Sequence, residues 1–401
     1  MKWRNQLLAL VCLAVFAGLG VFYFQNWVVQ KPFAIILFVG EGLTSQRLAA
    51  TRVYAGGADT PLAIDGLERS ARLRNFSADF AVPDAGAAAS AIATGAKVRN
   101  GALSVDESGA ALRTIVEIAH EQGRAVGLVS DGELTNPTMA AFYAHQANGK
   151  SATESANQLV NHAAVDIALG GGAARFSQMN TLEREHIRVA RTMSQLEEMS
   201  SWQRGRVLGI FAGNDLAFSD DVAARSEQPS LSEMVRRAIE VLELNRHGYL
   251  LVVDAHLMAS AAWQNLGERT LRETAELDRA VRIAREYAGS SSAVVVAGDV
   301  AIGGMNVNGY PFRYDNGVAI LGLNSAGQPW ITWATGQNGP RAAAETTAPE
   351  STAPPEPAAV QAPAGLNTIE DPVAAAGGLR VERLHGTLDN TALFSLLRDA
   401  L

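Results

Sequence analysis

Four apolar runs constrain the fold of this chain more than any other feature of its sequence. They read "FAIILFVGEG", "RAVGLVSDG", "YLLVVDA" and "AVVVAGD". A strand that is apolar at successive positions must be covered on both of its faces. Between the runs lie segments of helical period, such as "SLSEMVRRAIEVLELN" and "GERTLRETAELDRAVRIAREYA". Such alternation predicts an α/β fold, a three-layer α/β/α sandwich around a central, mostly parallel sheet. In sheets of this kind ligands bind beyond the carboxyl ends of the strands. Acids stand at three of those ends: Glu41, Asp254 and Asp299. An acid at a strand end equally serves as a turn former or a helix cap.

The chain has 401 residues, 48% of them hydrophobic, enough for a large core in one domain or two smaller ones. Its formal net charge of −8 argues against a nucleic-acid partner, because phosphate backbones recruit basic faces. At the N-terminus, Lys2 and Arg4 precede an uncharged apolar run from Leu7 to Phe24. Roughly 18 to 20 helical residues cover about 30 Å, the hydrocarbon thickness of a bilayer. Residues 1–28 are therefore expected to form a signal anchor or transmembrane helix. That gives a single-pass protein of the cell membrane, its N-terminus cytoplasmic and its main domain, 29–401, periplasmic or extracellular. The competing reading is a cleaved signal peptide with Val15-Phe16-Ala17 as its site; the apolar run continues past that point, which favours the anchor. The only cysteine, Cys12, lies inside this segment, so the main domain has no disulfide and no thiol nucleophile.

Residues 341–366, which include "RAAAETTAPESTAPPEPAAVQAPAG", are rich in Ala, Pro, Thr and Glu without apolar periodicity. They predict a disordered insertion in one domain. The chain resumes with a short strand and a final helix, which Thr387 or Asp389 is expected to cap.

In this order the segments resemble the alkaline phosphatase family over nearly the whole exported part. "IILFVGEGL" is similar to the family's first strand, and "VPDAGAAASAIATGAKVRNGALSVD" to its nucleophile helix. "TNPTMAAFYAH", "VDIALGGGAARF", "PSLSEMVRRAIEVL", "TAELDRAVRIA" and "HGTLDNTALFSLL" continue the resemblance in collinear order. What the resemblance implies is a phosphoric monoester hydrolase in which a serine attacks phosphorus, two zinc ions and a magnesium neutralise the ester, and an arginine clamps it. The nucleophile position, however, falls on Ala85, after a retained Asp84. Ser90, the nearest hydroxyl on that helix, lies about 7.5 Å further along the axis and cannot substitute.

The same carry-over places one zinc site's ligand positions on Ala259, Trp263 and Gln337, and replaces the second site's histidine by Val300 beside a retained Asp299. The arginine clamp falls near Gly149, with Lys150 adjacent. The magnesium ligands survive better, as Glu41, Thr138 and Asp254; with Asp299 they form a candidate residual site for magnesium or calcium, and zinc is not expected. Of the histidines, His120, His162 and His186 lie in helical patterns, His145 and His385 read as structural, and only His256 stands close enough in sequence to approach the cluster.

Two functions remain. One is a membrane-anchored, catalytically degenerate pseudoenzyme that binds an unidentified protein or small-molecule ligand, with a homodimer open to it. The other is a metal-dependent hydrolase that uses the residual cation site and no serine.

Overall fold

A computed structural model describes residues 2–23, 33–149, 151–161, 164–176, 187–199, 205–221, 224–290, 292–309, 313–314, 316, 329–340 and 356–401. Its strands are β1 Ala34–Gly40, β2 Arg69–Arg74, β3 Ala125–Glu133, β4 Ile167–Gly171, β5 Arg188–Ala190, β6 Val207–Ile210, β7 Tyr249–Ala255 and β8 Ser292–Gly298. They continue as β9 Ala301–Ile302, β10 Asn306–Val307, β11 Ile331–Gly336, β12 Ala358–Gln361, β13 Asn367–Thr368, β14 Val373–Gly378 and β15 Gly386–Asp389. The first helices are α1 Lys2–Tyr23, α2 Ser45–Gly56, α3 Ala85–Thr94, α4 Ile115–Glu121 and α5 Pro137–Ala140.

Ten strands hydrogen-bond in the order β15-β2-β14-β8-β1-β7-β3-β4-β6-β5. All neighbours are parallel except β14, which runs antiparallel between β2 and β8. The four quoted runs are β1, β3, β7 and β8, and they lie side by side at the centre of the sheet. Their side chains feed two cores. Ile35, Leu37 and Val39 pack with Ala89 and Ile92 of α3 on one face; Ile36 and Phe38 pack with Met234 and Leu277 on the other. The expected three-layer α/β/α sandwich with a mostly parallel sheet is the architecture found. The helices that cover the second face, Leu231–Leu242 and Gly267–Ala288, occupy the two segments of helical period. Ser230 and Glu233 close the first of them with reciprocal capping bonds.

Parallel registry sets the strand ends level. Gly40 pairs with Ala255 on one side and Gly298 on the other, and Asp254 also pairs with Ser130. Four adjacent strands therefore deliver Glu41, Asp254, Asp299 and Asp131 to one edge of the sheet.

Helix α1 is long and apolar enough to cross a membrane, with mean hydropathy 1.7 over Trp3–Val21 and none of that span buried. It suggests a signal or an anchor and is consistent with export. Phe24 and the join to the domain lie outside the described residues.

Two expectations need correction. Of the stretch 341–366, residues 341–355 lie outside the described residues, but the remainder is ordered. Ala358–Gln361 is a strand, parallel to β11, with Trp333 opposite Ala358. An alanine-rich strand carries no alternation to be read, and the backbone ladder holds it. The last helix, Ala392–Ala400, begins after Thr391 rather than Thr387 or Asp389. Asp389 acts one step earlier, accepting from the Thr391 N–H and hydroxyl, while Thr387 accepts from Arg72.

Candidate functional site

The site is built from the ends of β1, β7, β8 and β3. Glu41, Asp254, His256 and Asp299 are at most 6% exposed. The chain turns just beyond β7, so His256 points its ring back over the strand ends; Asp131 of β3 holds that turn by accepting from the His256 and Leu257 N–H groups at 2.7 and 3.0 Å. His256 Nδ1 lies 2.9 Å from Glu41 Oε1, and Nε2 lies 3.5 Å from Asp215 Oδ2. Gly132 makes room for this side chain: a Cβ there would lie 2.6 and 2.7 Å from two ring atoms of His256 and 2.8 Å from its Cβ.

Asp254 Oδ2 accepts from the Ser130 hydroxyl at 2.8 Å and from Asn136 Nδ2 at 2.7 Å. Asn136 also caps α5 by accepting from Met139 N–H, so one residue ties the site to the helix that carries Thr138. Asp254 Oδ1 and Glu41 Oε2 are buried and have no hydrogen-bond partner among the described residues. Asp299 differs from them. Its Oδ1 accepts from the Gly42 and Val300 N–H groups, and its Oδ2 from the Thr138 hydroxyl at 3.2 Å.

Burial dominates the electrostatics. It raises Glu41, against the pull of His256, and with the charge of Glu41 holds Asp254 well above the ordinary carboxylate range. Burial pushes Asp299 up to about 7, against the Val300 N–H and with Asp254 adding to the rise. For His256 burial works downward, but Glu41 and Asp215 on its two sides outweigh it and raise the imidazole well above its usual range. This is a crowd of carboxylates short of positive charge.

Glu41, Asp254 and His256 offer ligand atoms that all lie within 4.8 Å of one another and can hold a metal ion. The expected set of Glu41, Thr138, Asp254 and Asp299 does converge on one edge, but Thr138 and Asp299 are bonded to each other. The sequence alone did not rank His256 among the ligands, and it missed Asp131 and Asp215. Both follow the pattern that revealed the other acids: "RAVGLVSDG" ends in Asp131, and Asp215 follows β6 within "FAGND".

Elsewhere, Ala85 is the first residue of α3, and Asp84 caps that helix. The two oxygens of Asp84 accept from the Ala87 N–H at 2.8 Å and the Gly101 N–H. Ser90 is fully buried, and its hydroxyl accepts from Ser104 N–H. Ala259 and Val300 are buried side chains without donor atoms. Trp263 stands edge-on to the His256 ring, with centroids 5.4 Å apart. Gln337 is exposed, its carbonyl accepting from Gln361. As the resemblance assigns them, these four positions do not fit a pair of zinc ions; the buried Glu41, Asp254 and His256 group could hold a metal ion.

Gly149 donates to Gly101; Lys150, His162 and His186 lie outside the described residues. His145 bridges the Ser104 carbonyl and Glu117, and His120 and His385 are exposed.

Comparison with known proteins places this geometry. The family profile for alkaline phosphatase matches residues 33–401. Alkaline phosphatase 4 of Bacillus subtilis is 28% identical over 288 residues, covering 68% of this chain and 62% of that protein. The alkaline phosphatase of Escherichia coli is 29% identical over 329 residues, covering 66% of this chain and 69% of that protein. The chain thus spans about half to two thirds of the length of the curated relatives it matches. Among solved structures, the alkaline phosphatase of the Antarctic bacterium TAB5 superposes with a TM-score of 0.72 at 18% identity, covering 92% of this chain and 98% of that one. That of Thermus thermophilus gives 0.73 at 20% identity, covering 93% and 92%. At such identities the superposition speaks for the fold.

Proposed function

The chain belongs to the alkaline phosphatase family, and from that premise we propose that it is a tethered, catalytically degenerate member. It binds a small-molecule or protein ligand and does not turn over phosphate esters through a serine. Ala85 carries this reading. A methyl group stands at the start of α3, where the family's mechanism requires an oxygen nucleophile. The neighbours offer no replacement, since Asp84 is committed to backbone N–H groups and Ser90 is buried against Ser104. Missing donors at Ala259, Trp263 and Val300 point the same way, because parts that act as a unit fail as one. Helix α1 would hold the domain at a membrane on the exported side.

Two orphaned oxygens, Glu41 Oε2 and Asp254 Oδ1, favour a second reading: hydrolysis without a covalent step. A divalent cation bound there supplies charge neutralisation for a phosphate ester.

Hydrolysis of p-nitrophenyl phosphate, with zinc, manganese, magnesium or calcium added in turn, separates the readings. A Glu41→Ala/Asp299→Ala double variant is run beside the parent protein. The binding reading expects no turnover above background with any ion. Turnover that the double variant loses supports hydrolysis at the strand ends, and turnover that it keeps refutes both readings.

A further inference from the structure

We propose that the centre at the strand ends is a one-cation site in which His256 is a direct ligand through Nδ1 and Asp215 orients it. Its ion is then of the zinc or manganese type instead of the magnesium or calcium expected from oxygen donors alone. No ligand position carried over from the family resemblance falls on His256. The inference holds under either functional reading, because ion binding is observed without turnover.

Three observations carry it. First, two donors in neighbouring positions around an ion, each about 2.1 Å away, lie roughly 3.0 to 3.4 Å from one another. His256 Nδ1 and Glu41 Oε1 are 2.9 Å apart, already near that spacing. Second, the remaining oxygens, Glu41 Oε2 and Asp254 Oδ1, are buried and unpartnered among the described residues, while Ser130 and Asn136 fix the other oxygen of Asp254. Third, a metal-bound histidine characteristically gives its other ring N–H to a carboxylate, which fixes the tautomer. Asp215 Oδ2 stands 3.5 Å from Nε2, while its Oδ1 accepts from the Glu133 N–H at 2.8 Å. Gly132 and Trp263 complete the setting, one leaving space for the ring and the other packing against it edge-on. Imidazole with carboxylates suits borderline ions, whereas magnesium and calcium favour oxygen throughout.

The test uses the full chain in detergent, stripped of metal by chelator and titrated with zinc, manganese or magnesium. The expectation is one zinc or manganese ion per chain. In His256→Gln the zinc Kd should rise by about a hundredfold and the magnesium Kd by less than about threefold. In Asp215→Asn the zinc Kd should rise by roughly tenfold. Electron spin-echo spectra of the manganese-loaded protein should show nitrogen-14 modulation, lost in His256→Gln. Unchanged zinc affinity in that variant, or absence of bound ion in the parent protein, overturns the proposal. If His256→Gln does not fold, the parent spectrum decides: nitrogen modulation supports the assignment, and its absence overturns it.

Discussion

At the scale of single residues, the site is a cluster of acids forced together by strand registry. Asp299 shows the cost most plainly, since burial holds its carboxyl at about 7 against an ordinary value of 3.8. Between those two values the native state keeps a proton that the unfolded chain has released. The Asp299 contribution to native stability in the metal-free protein is therefore lost as pH rises from about 4 to about 7. At about 1.4 kcal/mol per pKa unit, the Asp299 contribution is on the order of 4 kcal/mol. Asp299→Asn should lessen the fall of stability with pH, the residual slope coming from the other raised groups, among them Asp131, Asp254, Glu41, Glu356 and His256. Urea unfolding in the presence of chelator at pH 5 and pH 8 measures it; a variant that loses as much stability as the parent between those two values would contradict the assignment. The sequence displayed Glu41, Asp254 and Asp299 as strand-end acids, because an acid closing an apolar run stands out. It could not display which oxygens remain free. That depends on Ser130, Asn136 and Thr138, whose hydrogen bonds are made across elements distant in the chain.

At the scale of elements, helices fix the site, and one is secured in a way the sequence did not reveal. The helix Gly267–Ala288 begins after Leu266, which gives no side-chain cap. Glu356 supplies the missing acceptor, taking the Gly267 N–H at 2.8 and 3.0 Å and Trp333 Nε1–H at 2.7 Å. A carboxylate at a helix N-terminus is also favoured by the helix dipole. Glu356→Ala strands two donors and should lower unfolding stability by about 1 to 3 kcal/mol, read from the urea midpoint. A change within about 0.3 kcal/mol would show that water replaces the acid. Local signals were sufficient where an element carries them, as in the Ser230–Glu233 capping box. They failed for β12 and β14, "AAVQ" and "VAAAGG", whose small residues form strands through partners far away in sequence.

At the scale of the whole molecule, the parallel sheet was legible because continuous apolar runs admit few other arrangements. The family followed from the order of the motifs, and the profile match over residues 33–401 agrees with it. Activity belongs to particular atoms on that scaffold and does not follow from the scaffold itself. Both functional readings share one claim: no phosphoryl group becomes covalently attached to the chain, because position 85 holds a methyl group. Intact-protein mass spectrometry tests this directly. The metal-loaded protein is mixed with a phosphate monoester and quenched in acid, alongside an active alkaline phosphatase treated in the same way. An unshifted mass is the predicted result, whatever ion is present. A mass increased by one phosphoryl group, mapped by fragmentation to any serine or threonine at the strand ends, would contradict the claim and return this chain to the serine mechanism of its family.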